Sequence, residues 1–553
     1  MQKNKRQNVN NVRSVIRQTV TGYAGLSLGI VLAVAGAIVT ALLPPWILGS
    51  IVDTITTGNV VPVALVILYF AFTVLTGLTE SLREGLLTVF GQKITHALRS
   101  SMMDKYTNLT AGELTKQEPG TIVSRFVGDV DTVENLFTSG IISMFADACK
   151  IISILVVIWL KNRGLAIVLL ILLPFLYWFT RTVQKNMLKA QIENRRAVGR
   201  ASGHVPETLH NIRTIHTLGK ERYMEQRYDE YIAESYHAVD RTNFYDAIYS
   251  PVILILNAVV VAVVMLFSAS GNAKVLTLFG MSAGTAVAVI NYISQIFTPV
   301  ESLGMEIQTI QSAIAGVHRI NEFYALEELP ERVRNLETPV TMAEETPFVE
   351  LQNVTFGYGD DDRKILQDLN FQVYPGEQVT LSGRTGAGKS TVFKLLLGLY
   401  QPGEGKVLIQ GRDAFQIPEN EKRSLYGYVE QTFHRVPGTV KDQITLYDDS
   451  FTMEEVRDAA RIAGLDATIE QMEKGYDTPC TQEIFSQGQW QLLSIARAAV
   501  AKPKLLLLDE ITANLDAQTE EEVLQALKRA SEGRTVISIS HRVNAETGRI
   551  IAI

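Results

Sequence analysis

The sequence predicts a multidomain chain: an all-α transmembrane half of six helices, then an α/β half built around a phosphate-binding loop. Three observations lead there. Long, nearly charge-free apolar runs fill the first 320 or so residues and then cease. After Pro347, apolar strand-like segments alternate with helical ones, the pattern of a mostly parallel sheet with an antiparallel flank. Between one such strand and one such helix lies Gly383-Arg384-Thr385-Gly386-Ala387-Gly388-Lys389-Ser390-Thr391, which fits G-x-x-x-x-G-K-[ST]. The bulk numbers agree: 553 residues, 47% hydrophobic, with a mean hydropathy of +0.12, are too many for one compact domain and too apolar for an ordinary soluble chain. The expected boundaries are a transmembrane domain over 1–325, a linker over 326–346 and a nucleotide-binding domain over 347–553.

A net charge of −7 gives no sign of a nucleic-acid partner. Cys149 and Cys480 fall in different halves and form neither a metal pattern nor a disulfide framework. The polar, basic start of the chain has no apolar core or small-residue cleavage site, so no cleaved signal peptide is expected.

Each membrane element follows from the need for about 20 apolar residues per crossing. The runs are 23–51, 60–78, 141–160, 165–180, 251–269 and 275–297. The connections 82–140 and 181–250 are long, polar and helix-patterned, so helices should continue into the cytosol there. Their Lys and Arg, with those of the N-terminus, favour that side as cytoplasmic; Lys161 and Arg163 lie opposite. Val12–Arg17 reads as an amphipathic helix along the membrane surface. Pro44-Pro45 should interrupt the first span and Pro299 bend the last. Glu80 with Arg83, and Asp147 with Lys150, share helix faces and should neutralise each other in the packed bundle, the alternative being contact with substrate. Asn257, Asn291, Tyr292 and Gln295 either line a pathway or bond helix to helix.

In the soluble half, glycines let the loop after 378–381 turn tightly, so its backbone N–H groups converge on phosphate oxygens. The following helix N-terminus adds its positive dipole end. Lys389 then reaches the outer phosphates and the Ser390 hydroxyl holds Mg²⁺. Leu505-Leu506-Leu507-Leu508-Asp509-Glu510 is a strand apolar enough for burial on both faces, ending in two carboxylates. Asp509 is placed to reach the Mg²⁺, and Glu510 to polarise an attacking water as general base.

Between them, Phe485-Ser486-Gln487-Gly488-Gln489 resembles the L-S-G-G-Q signature of ATP-binding cassette proteins. Ser486, Gly488 and Gln489 match, whereas Phe485 and Gln487 depart, in a form similar to the multidrug-resistance-associated branch. The resemblance extends over the whole chain and implies ATP and Mg²⁺ as cofactors. It makes Tyr358 the ring that stacks on adenine, Gln431 the Q-loop residue sensing Mg²⁺, Asn514-Leu515-Asp516 the D-loop and His541 the switch histidine. It also implies coupling helices near 111–118 and 210–218. The segment Thr481-Gln482-Glu483 is shorter than in relatives, so coupling should differ in detail. Relatives continue past the switch histidine with another strand and a helical tail, so the region ending at Ile553 is expected to be cut or unusual.

One phosphate loop and one signature per chain imply a dimer, homo- or heteromeric, that shares its sites across the bilayer-embedded pair. The resemblance therefore implies an ATP-driven exporter in a bacterial plasma membrane, working by alternating access on an unidentified substrate. A weakly catalytic regulatory subunit and a lipid flippase are the competing readings.

Overall fold

The computed structural model describes residues 11–268, 282–329, 346–358, 363–384, 386–509, 515, 517–539 and 548–553. The chain folds as two compact units: Met1–Thr107 with Glu118–Leu326, and Asn108–Gln117 with Glu327–Ile553.

The first unit is all helix. α1 (Val12–Gly22) starts at Asn11, whose side chain accepts from the Ser14 N–H at 2.9 Å. Its apolar edge of Val12, Val15 and Thr19 is buried against protein, and the Val12 N–H donates to Asn321 at 2.9 Å. The amphipathicity read from the sequence is thus met on one edge by protein.

α2 (Ala24–Thr56) and α3 (Val63–Thr107) follow. α2 runs through Pro44 and Pro45 as one helix, against the expected interruption. Pro44 has no N–H for the Thr40 carbonyl four residues back. The Thr76 hydroxyl of α3 offers that carbonyl a donor at 3.0 Å, sharing its one proton with the Phe72 carbonyl at 2.8 Å; such side-chain donors are how a membrane helix tolerates proline.

α4 (Ala111–Lys116) belongs to the second unit. α5 (Pro119–Ser124) and α6 (Val130–Asn135) are short, and single π turns at Arg125–Asp129 and Leu136–Gly140 flank α6. α7 (Ile141–Lys161), α8 (Arg163–His210), α9 (Ile212–Leu218), α10 (Glu221–Ser268) and α11 (Ala283–Tyr324) complete the unit. α8 and α10, of 48 residues each, reach about 70 Å at ~1.5 Å per residue, over twice a ~30 Å hydrocarbon core. Ile154, Ile158, Leu169, Val289 and Ile293 form the core shared by α7, α8 and α11.

Among the described residues, three helical stretches are long and apolar enough to cross a membrane: Ala24–Thr56, Val63–Thr107 and Pro119–Lys161. Shorter apolar helices lie at Leu254–Val263 and Ala283–Phe297. Part of the last expected span, 275–281, lies outside the described residues.

α2 and α11 cross in backbone contact. A Cβ on Gly49 would stand 2.7 Å from the Gly284 carbonyl oxygen. Asp53 clamps the crossing by accepting from the Gly284 N–H at 2.8 Å and the Ser282 hydroxyl at 2.7 Å. Tyr292 of α11 donates across to the Leu42 carbonyl of α2 at 2.6 Å, whereas Asn291 donates within its own helix to Val287 at 3.0 Å. The side-chain oxygens of Asn257 and Gln295 are buried without a partner. Arg83 lies 3.5 Å from Glu80 and 3.7 Å from Glu84. Beyond the apolar runs, Arg319 of α11 grips both oxygens of the buried Asp129 at 3.0 Å.

The second unit carries two sheets. β1 (Val349–Phe356), β2 (Leu366–Val373), β4 (Glu404–Ile409) and β5 (Arg412–Asp413) form an antiparallel sheet ordered β2-β1-β4-β5. β3 (Gln378–Ser382), β6 (Tyr426–Val429), β7 (Leu505–Asp509), β8 (Thr535–Ile539) and β9 (Arg549–Ala552) form the second, ordered β6-β7-β8-β3-β9. All pairings in it are parallel, and β7 and β8 are buried almost throughout, as helices on both faces require. β9 supplies a strand after the switch region, as in the relatives.

Candidate functional site

Parallel register brings the chemistry together. Asp509 on β7 pairs with Ile539 on β8, and Ile539's neighbour on β3 is Leu381. The loop after β3 and Asp509 at the end of β7 therefore both leave the carboxyl edge of one parallel sheet, on the two strands that flank β8, where open α/β sheets bind ligands. Gly388 has φ +100° and caps the helix Lys389–Leu396, a conformation that suits glycine; a Cβ there would also meet Leu366 at 2.6 Å. Lys389 is 5% exposed, and its ammonium donates to the carbonyls of Gly383 at 2.8 Å and Arg384 at 3.2 Å. Ala387 closes the turn by donating to the Arg384 carbonyl at 3.0 Å. Gly386 has φ +85° and Ser390 is exposed at the first helical turn, beside the buried Thr391. Thr385 lies outside the described residues, as do Glu510, Asn514, Asp516 and His541.

Tyr428 on β6 donates to Asp509 Oδ2 at 3.4 Å. Burial, with the Asp509 and Glu430 carboxylates beside it, pushes that phenol well above its usual range, so it stays a donor. The residues present fit a hard cation: a hydroxyl at Ser390 and a carboxylate at a strand end, both oxygen donors.

Ser486 caps the helix Gln487–Ala499 in a reciprocal box. Its hydroxyl accepts from the Gln489 N–H at 3.3 Å, and Gln489 Oε1 accepts from the Ser486 N–H at 2.9 Å. The hydroxyl proton and the Gln487 and Gly488 N–H groups remain at a positive dipole end, suited to an anion. Gln431 lines a cleft of about 400 Å³ with Phe433, Arg435, Gln487, Trp490 and Leu515. Phe433 stacks on Trp490 at 5.2 Å, and the Arg497 guanidinium covers Phe433 at 4.1 Å.

Tyr358 donates to Thr391 at 3.3 Å, which ties it to the phosphate loop's helix. Lys394 lies over its ring at 5.1 Å, and Tyr400 packs edge-to-face at 5.3 Å. Sequence reasoning missed Tyr400, Lys394 and Tyr428. Each acts through a neighbour distant in the chain, and none belongs to a spaced motif.

Residues 26–300 match the family model described as ABC transporter transmembrane region, and residues 366–513 the one described as ABC transporter. The chain is 29% identical to an ATM1-type heavy metal exporter of Novosphingobium aromaticivorans, over 93% of this chain and 85% of that protein. It is 26% identical to an ATP-dependent lipid A-core flippase of Syntrophus aciditrophicus, over 88% of this chain and 79% of that one. A bacterial Atm1-family ABC exporter with ATP bound superposes with a TM-score of 0.76 at 25% identity, covering 98% of this chain and 94% of its own. A helical membrane region and a nucleotide-binding ATPase fused in one polypeptide, matched along both, place this multi-pass membrane protein in the ATP-binding cassette exporter family, as a half-transporter that hydrolyses ATP to drive export.

Proposed function

We propose that two such chains, or this chain and a partner half-transporter, form the working exporter, with each ATP held between the phosphate loop of one chain and the signature helix of the other. The observation that carries this reading is that the chain has a single phosphate loop and a single signature, the latter ending in a helix N-terminus free to meet a phosphate from outside. Lys389 and the loop N–H groups bind the phosphates, Tyr358 stacks the adenine, and Ser486 with Gly488 and Gln489 closes on the outer phosphate of the partner's ATP. Ser390, Gln431 and Asp509 are the groups that would hold Mg²⁺, which neutralises phosphate charge when bound. Glu510 takes the proton of the attacking water and His541 contacts the outer phosphate.

ATP then favours one of two global states by differential binding, and the short helices Ala111–Lys116 and Ile212–Leu218 pass the change to the spans. Lys and Arg in the long loops support a cytoplasmic ATPase domain, and the bacterial relatives support a bacterial plasma membrane. Relatives include a heavy metal exporter, a fatty acid transporter and a lipid A-core flippase, so substrate screening begins with these classes.

The test is Mg²⁺-dependent ATPase activity of the chain alone in nanodiscs, beside Glu510→Gln. Turnover is expected to fall by roughly 10²–10⁴-fold in the variant while ATP still binds. Near-normal turnover in the variant would remove Glu510 from its role. Gln487 in the signature favours one second reading, a weakly catalytic regulatory subunit. ATP binding by the wild-type chain without turnover would point to a missing partner subunit, the heteromeric arrangement in which that reading also falls.

A further inference from the structure

Tyr400 joins two things that the motifs treat separately. It follows the phosphate loop's helix in a turn closed by the Leu399 N–H on the Lys394 carbonyl at 2.9 Å. Its ring meets Tyr358 at 5.3 Å and 85°, and Phe356 at 5.7 Å and 67°. Its hydroxyl lies 3.2 Å from the Thr115 hydroxyl on α4. Gly112 leaves room beside the ring, where a Cβ would stand 3.5 Å from Tyr400 Cε1. The segment 108–117 is pinned to the same unit by backbone bonds, Leu329 N–H to Asn108 at 2.9 Å and Thr110 N–H to Glu327 at 3.2 Å.

We propose that Tyr400 is a positioning residue through which α4 reads whether adenine is stacked on Tyr358, a base-specific coupling route that does not pass through Gln431. The proposal rests on Tyr358 being the adenine-stacking ring. Edge-to-face pairing fixes the angle of Tyr358, and stacking demands one angle. The hydroxyl pair ties that angle to α4. Coupling is reciprocal, so a change in α4 that touches no nucleotide must alter the affinity for adenine.

The experiment measures equilibrium binding of ATP and of UTP to the full-length protein in nanodiscs. Uracil offers much less surface to stack, so UTP reports the phosphate site. Tyr358→Ala tests the underlying reading: ATP should weaken and UTP should not. Tyr400→Phe keeps the ring and removes only the hydroxyl; Thr115→Val removes its partner. Each is expected to weaken ATP by about 2–5-fold, the range of one lost hydrogen bond, with UTP unchanged, and the double variant should match either single one.

If Tyr358→Ala separates the two nucleotides but Thr115→Val leaves ATP unchanged, or adds to Tyr400→Phe, the relay is overturned and the adenine assignment stands. Equal weakening of ATP and UTP in Tyr400→Phe makes its role merely structural and also overturns the relay. If Tyr358→Ala does not separate the nucleotides, the adenine assignment fails and the relay fails with it.

Discussion

Gly488 answers two demands at once. Its place in the signature suits a backbone approaching a phosphate. Packing asks for glycine as well, since a Cβ there would fall on the Thr519 methyl. The two demands separate by mutation. Gly488→Ala is expected to lower stability by about 1–3 kcal/mol through overpacking, read as a drop in melting temperature. Thr519→Ser removes that methyl, so the double variant should recover the melting temperature. ATPase activity should stay low if the glycine also serves the phosphate. Cys480 is a plainer case. Its thiol is buried, and burial pushes it up to about 11, although Arg435 and Arg497 pull the other way. A maleimide at neutral pH should leave Cys480 unlabelled in the folded protein, with labelling after denaturation as the control.

At the scale of elements, helix contacts in the membrane half divide by what they replace. Thr76 gives the carbonyl orphaned by Pro44 a donor that water cannot supply. Thr76→Val should cost only about 0.6 kcal/mol, the usual worth of such a bond in a bilayer. Gly284→Ala should cost more, about 1–3 kcal/mol, because its Cβ would fall on the Gly49 backbone carbonyl and one helix must move. Thermal unfolding in detergent gives the order, and a larger loss in Thr76→Val would contradict it. In both cases the need was visible in the sequence, as a proline pair and a glycine, but the partner was not. Thr40 and Thr76 lie on different helices, and no local pattern says which threonine faces the proline.

For the whole molecule, the proposed shared site makes one consequence measurable. Chains of Glu510→Gln mixed with wild type should depress ATPase activity well below the linear mixing line if both sites of a pair must fire. Activity on that line would show chains working independently. Both halves of the chain were legible from charge-free runs and from strand-helix alternation. Short-range signals also located Lys389, Ser390, Asp509 and Ser486, since loop, strand end and helix cap are all local. The relay through Tyr400 was not legible, because Thr115 and Tyr400 are 285 residues apart and meet only in the folded unit.

Sequence alone determined the order of the two halves, the phosphate loop, the apolar strand ending in Asp509 and the capped signature helix. These depend on hydrophobic period, glycine freedom and capping, which act within a few residues. Tertiary structure decided that the N-terminal helix packs on protein, that α2 passes through two prolines unbroken, that Thr519 forbids a side chain at 488, and that Thr115 of α4 touches Tyr400, the ring beside Tyr358. Each of those turns on a contact between distant segments, whose identity follows from packing and not from local pattern.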